Sequence, residues 1–149
     1  MNAERLKSII NKVPAFRDLA VGHAHRLLQS GEVMLKPKGT TLCVEGDDSS
    51  DMFVLLSGKL LVTCEDVELG SVGSSDVVGE MSLITGLPRC ATIEVTEDAT
   101  LFVIHAVNFE RLMSENVELA ARFYRNMLVS LCTKLRQSNV HLVASRLGV

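Results

Sequence analysis

The sequence has no Cys-x-x-Cys pair, no apolar run long enough to cross a bilayer, and no Gly-x-x-x-x-Gly-Lys-Ser/Thr loop. Each absence removes a class of protein. Cys43, Cys64, Cys90 and Cys132 are scattered and have no His-rich partner segment, so neither a zinc site nor a disulfide framework is supported. Reduced thiols in a cytoplasmic protein are the expectation. The stretch from Met1 to Lys12 carries Glu4, Arg5, Lys7 and Lys12 without sustained apolar character, so neither a signal peptide nor a transmembrane helix is expected there. Without a P-loop lysine or an aspartate cluster for Mg²⁺, the parts needed to handle a triphosphate are missing. Positive charge is scarce over residues 1–115, which sum to −7, whereas residues 116–149 hold five Lys or Arg against one Glu. A nucleic-acid surface on the main body is therefore not expected, and a solvated helix face accounts for the C-terminal cations.

What is present is a chain of 149 residues, 47% apolar and 22% charged, the composition of a soluble globular protein. One domain over residues 1–149 is expected. Residues 2–11 and 18–30 read as helices, the second carrying Leu19, Ala20, Leu27 and Leu28 and closing at Ser30-Gly31. Residues 1–30 thus form an N-terminal helical segment. Glycines then punctuate short runs of Val, Leu, Ile, Thr and Phe, which predicts antiparallel strands in a sandwich, roll or barrel across 31–105. The expected strands are 32–36, 40–45, 52–57, 59–65, 67–70, 91–95 and 100–105, with Ser57-Gly58 as a hairpin turn. Helical spacing returns over 106–149, first around Phe109, Leu112 and Met113. From Val117 the residues Val117, Ala121, Tyr124, Leu128, Leu131 and Leu135 step by fours and threes, one stripe suited to docking on the strands or to pairing with another helix.

Chemistry concentrates in residues 78–93, Val-Gly-Glu-Met-Ser-Leu-Ile-Thr-Gly-Leu-Pro-Arg-Cys-Ala-Thr-Ile. A glycine, about one helical turn and a Gly86/Pro88 break precede a strand. The first-turn N–H groups near Met81 and Ser82 suit an anion, and Gly79 removes a side chain from its path. Arg89 brings a permanent charge in a planar fork matched to phosphate oxygens. Glu80 would repel a phosphate, so its target is a hydroxyl, such as a ribose 2′-OH. The set describes a ribose-phosphate ligand carrying little charge.

This segment resembles the phosphate-binding cassette of cyclic nucleotide-binding domains, as in protein kinase A regulatory subunits, catabolite-activator-type regulators and cyclic-nucleotide-gated channels. The resemblance rests on Gly79-Glu80, the nine-residue step to Arg89, Pro88 and Ala91-Thr92-Ile93. Upstream, Lys38-Gly39-Thr40-Thr41-Leu42, Glu45-Gly46-Asp47 and Phe53-Val54-Leu55-Leu56-Ser57-Gly58 also resemble the family's early strands. It implies an α+β, mainly β fold: an antiparallel β-roll or jelly roll with an embedded phosphate-binding helix, flanked by N- and C-terminal helices. It also implies that Glu80 meets the ribose 2′-OH and Arg89 the cyclic phosphate, with Gly79, Met81, Ser82, Cys90 and Ala91 completing the site. Leu128, Leu131 and Leu135 are candidate lids over the base. The expected ligand is cAMP, with cGMP as the alternative; no metal, cofactor or catalytic residue is expected. Val78 departs from the family's frequent aromatic at that position, which affects packing alone.

Two other readings use the same residues. A scaffold β-roll would bind a protein partner without nucleotide. A cupin-type metal enzyme would need two or three histidines and a glutamate around one cavity, and His105 alone sits on a suitable strand. His23 and His25 are two apart on a predicted helix and face different directions. A winged-helix DNA reader needs more chain than follows the long helix, so the expected output is an effector protein or domain reached through the C-terminal helices.

Overall fold

The computed structural model describes residues 3–148. Helix α1 spans Ala3–Ile10, and residue 2 of the expected 2–11 helix lies outside the described residues. A 3-10 turn at Pro14–Phe16 leads to α2, Val21–Gln29. Leu19 and Ala20, expected within that helix, precede it, because Asp18 turns the chain at φ 59°. The strands follow: β1 Gly31–Lys36, β2 Thr41–Cys43, β3 Met52–Cys64, β4 Val67–Val72 and β5 Val77–Val78. After α3, Glu80–Thr85, come β6 Thr92–Ile104, α4 Ala106–Glu115 and α5 Val117–Leu147.

All pairings are antiparallel, in the order β1-β6-β3-β4, with β2 added to β6 and β5 to β3. Side-chain alternation on the two long strands builds two cores. Met52, Val54, Leu56, Phe102 and Ile104 face the helices. Phe53, Leu55, Leu60, Leu101 and Val103 face the interior of the roll.

The hairpin expected at Ser57-Gly58 is not a turn. Both residues lie inside β3, where the register against β6 shifts between Leu55 and Leu60. Gly58 has φ 96°, and a β-carbon there would lie 2.5 Å from the Asp98 carbonyl oxygen. The glycine therefore marks a bulge that bends one long strand, and the separate strands expected at 91–95 and 100–105 are likewise the single β6. The turn that reverses the chain is Glu65-Asp66, with φ 48° and 61° and β3 pairing with β4 on either side.

The stripe on the last helix also faces differently from the docking expectation. Leu119, Phe123 and Met127 are the buried residues of α5. Phe123 meets Phe16 and Phe109 at 6.2 and 5.1 Å between ring centroids, and Asn126 Nδ2 donates to the carbonyls of Ala15 and Arg17. Leu128 and Leu135 are 63% and 62% exposed. The reason is side-chain size and reach: α5 crosses the body over its first turns, and burying an aromatic and a methionine decides which face turns inward.

Candidate functional site

Sequence-distant elements meet around residues 78–93. Strand β5 pairs with β3 at Phe53–Val78, which fixes where the chain enters α3. Gly79 is its left-handed N-cap at φ 81°, and Gly86 closes it, donating its N–H to the Ser82 carbonyl at 2.9 Å. The return strand is pinned by Arg89 N–H to Asp47 O and Gly46 N–H to Arg89 O, both 2.8 Å.

A cavity of about 390 Å³ opens here, and every one of the expected residues Gly79, Glu80, Met81, Ser82, Arg89, Cys90 and Ala91 lines it. Its remaining wall includes Val62, Leu69, Val72 and Ile93 of the roll. Apolar walls with a few convergent polar groups are the usual construction of a small-molecule site.

Arg89 is 4% exposed, and its guanidinium is held by three acceptors from two segments, the loop before β3 and the start of α3. Nε donates to Ser49 Oγ at 3.0 Å, Nη1 to Gly79 O at 3.2 Å and Nη2 to Asp51 O at 2.7 Å. The cation also lies 5.7 Å from the Phe53 ring centroid. Since guanidinium has five N–H groups, one on each Nη remains without a protein acceptor among the described residues. Among the described residues, no carboxylate forms an ion pair with Arg89. A buried cation held by neutral acceptors leaves its charge uncompensated, which favours an anion in the cavity beside it.

Glu80 is 6% exposed, and it pairs with Lys134 of α5. Lys134 Nζ lies 2.9 Å from Glu80 Oε1 and donates to Val77 O at 3.3 Å. Glu80 and Arg89 therefore do not hold one another. Ser82 is buried and lines the cavity, and its hydroxyl has no protein partner among the described residues. At the mouth, Cys90 Sγ lies 3.8 Å from Met81 Sδ. The buried thiol of Cys43, also in the wall, is pushed up by burial, against which the Arg89 charge acts.

Gly79 also has a role that the sequence did not suggest. A β-carbon there would lie 2.7 Å from Arg89 Nη1 and 2.8 Å from Asp51 O. The missing side chain makes room for the arginine that faces the ligand space.

Two lining residues, Lys134 and Gln137, come from α5 and were not expected. Leu128, Leu131 and Leu135 do not line the cavity in this arrangement. Nothing in the sequence singles out Lys134, which reads as one of five cations on a solvated helix until α5 is laid across the cassette. Of the other residues considered, His23 is half-buried and His25 exposed, while all four cysteines are free. His105 directly follows β6, and its ring lies between Asp51 and Glu32. Among the described residues no group of three or more His, Cys, Asp or Glu is placed to hold a metal, and no helix is long and apolar enough to cross a membrane.

A roll that encloses a short helix, a buried unpaired arginine and a carboxylate defines a ligand-binding domain of the regulatory type. The chain belongs to the cyclic nucleotide-binding domain family, whose model matches residues 28–116. It is 30% identical over 122 residues to a cyclic nucleotide-gated potassium channel of Rhizobium etli, covering 80% of this chain and 34% of the channel. Against a Pycsar effector protein of Xanthomonas perforans it is 32% identical over 124 residues, covering 83% and 39%. The chain spans about a third of the length of these curated relatives. In fold it matches a cyclic nucleotide-binding domain from Methylobacillus flagellatus with TM-score 0.84 at 22% identity, covering 95% of this chain and 83% of that one.

Proposed function

We propose that this domain is a cAMP sensor that acts by binding, without catalysis, metal or cofactor, and reports occupancy through α5. The carrying observation is Arg89: a buried guanidinium that has, among the described residues, no carboxylate partner and two N–H groups without an acceptor, beside a cavity of suitable size. The cyclic phosphate takes those two N–H groups and the first-turn amides of α3. The ribose 2′-OH donates to Glu80, whose Oε2 has no protein partner among the described residues. Preference for cAMP over cGMP follows from Cys90, a weak hydrogen-bonding group where a hydroxyl would serve guanine better.

Reporting follows from Lys134. The ribose hydroxyl on Oε2 and the Lys134 ammonium on Oε1 share one carboxylate, so the nucleotide binds one arrangement of α5 more tightly than another. That difference in affinity is what shifts the helix. The effector is a separate domain or protein in contact with α5. A nucleotide-free scaffold would leave the Arg89 charge without a counterion, and a cupin-type centre would need histidines that are not gathered around this cavity.

Calorimetric titration with cAMP and cGMP tests the reading. Saturable one-to-one binding, tighter for cAMP, is expected; no heat with either nucleotide refutes it.

A further inference from the structure

Asp51, in the loop before β3, directs three oxygen atoms at three parts of the fold. Its carbonyl accepts from Arg89 Nη2 at 2.7 Å. Oδ1 accepts from the backbone N–H of Ala106, the first residue of α4, at 3.0 Å. Oδ2 lies 3.0 Å from His105 Nδ1, and His105 Nε2 lies 2.8 Å from Glu32 Oε1 on β1. Both ring nitrogens thus face carboxylate oxygens, which accept and never donate when ionised. Satisfying both contacts takes an N–H on each nitrogen, the imidazolium form.

We propose that Asp51 and His105 are positioning residues for the phosphate-binding arginine, so that protonation of His105 and occupancy of the nucleotide site are coupled through Asp51. The proposal rests on Arg89 as the phosphate group's partner. Protonated His105 holds the Asp51 side chain, and the same residue's carbonyl orients the guanidinium. Loss of one N–H turns a ring lone pair toward a carboxylate, and the loop that aims Arg89 is released.

The charged groups facing His105 are Glu32 from β1 and Asp51 from the loop. Arg89 stands on the far side of Asp51, and α4 contributes the Ala106 amide. The hydrogen bonds to Glu32 and Asp51 hold the imidazole above its ordinary pKa, against a smaller opposing effect of burial. Coupling is reciprocal: if the held loop favours nucleotide, nucleotide must favour the proton. Affinity is then highest with His105 protonated and falls as pH rises through its pKa. The junction also ends on the first amide of α4, so the state of Arg89 is passed directly to the start of the C-terminal helices.

The test follows the His105 ring C–H signal by NMR against pH, with and without saturating cAMP, and measures affinity by calorimetry at both ends of the range. The expected results are a higher midpoint with cAMP and an affinity that weakens about fivefold or more as the ring deprotonates. His105→Gln flattens the pH dependence. Asp51→Asn abolishes the midpoint shift, whereas direct attraction between phosphate and imidazolium would survive that change. An unmoved midpoint in the saturated wild-type protein overturns the proposal, as does a shift that persists in Asp51→Asn or an unchanged pH slope in His105→Gln. Absence of cAMP binding at every pH overturns the sensor reading itself, and this inference with it.

Discussion

Gly79→Ala is the smallest change that tests how the cassette holds Arg89. The new β-carbon would sit 2.7 Å from Nη1 and 2.8 Å from the Asp51 carbonyl oxygen, at a backbone φ of 81°. The arginine tip can swing away, but a backbone carbonyl cannot do so without moving the loop. Left-handed backbone at a residue with a side chain costs about 1 to 2 kcal/mol. Losing the charged hydrogen bond to Gly79 O adds about 1.5 to 3 kcal/mol. Together these are about 2.5 to 5 kcal/mol, which lowers the melting temperature by about 5 to 20 °C for a domain of this size. Displacement of the guanidinium also weakens cAMP binding about 10- to 150-fold, the equivalent of one charge-assisted contact. Gly39→Ala is the control, since Gly39 has φ 91° but nothing within 4 Å of where its new methyl group would sit. It carries the backbone cost alone, about 1 to 2 kcal/mol, with unchanged affinity. Thermal denaturation and calorimetry on both variants separate the two effects. If Gly79→Ala melts with Gly39→Ala and binds cAMP within twofold of wild type, the arginine is not held as described.

Arg89→Ala should reduce cAMP affinity by about 2 to 5 kcal/mol, or 30- to 4,000-fold by calorimetry, and should also lower the melting temperature, because Arg89 ties together Ser49, Asp51 and Gly79. Glu80→Gln should cost less affinity and narrow the preference for cAMP over 2′-deoxy-cAMP; equal discrimination before and after would assign the 2′-OH to another group. Lys134→Ala should raise hydrogen exchange in residues 117–140 without nucleotide, since it releases α5 from Glu80 and Val77, whereas Leu135→Ala, on an exposed face, should leave both exchange and affinity unchanged. His105 has a folded-state pKa above its unfolded value, so its contribution to stability is fully present below the unfolded pKa and is lost as pH rises through the folded one. The partly exposed site limits that contribution to about 1 kcal/mol or less, and melting curves across this pH range should lose the slope in His105→Gln.

The cassette was legible in the sequence because its parts are local. Gly79, Glu80, Ser82 and Arg89 lie within one helical turn and one loop of each other, so spacing alone brings them to one cavity. Strand character was equally local, since the unbroken apolar runs at residues 52–56 and 101–104 are what a strand buried on both faces requires. Tertiary structure decided the rest. Whether Gly58 turns the chain or bends it depends on Asp98 and Ala99 lying against it, and those residues are distant in sequence. Which face of α5 docks depends on a pocket formed by Phe16 and Phe109 for Phe123, not on the regular spacing of Leu128, Leu131 and Leu135. Lys134 reached Glu80, and Asp51 reached Arg89 and His105, through contacts that span dozens of residues. Pattern reports the period and polarity of a segment, but the partner of a charge is set by where the chain returns, and only the folded chain contains that information.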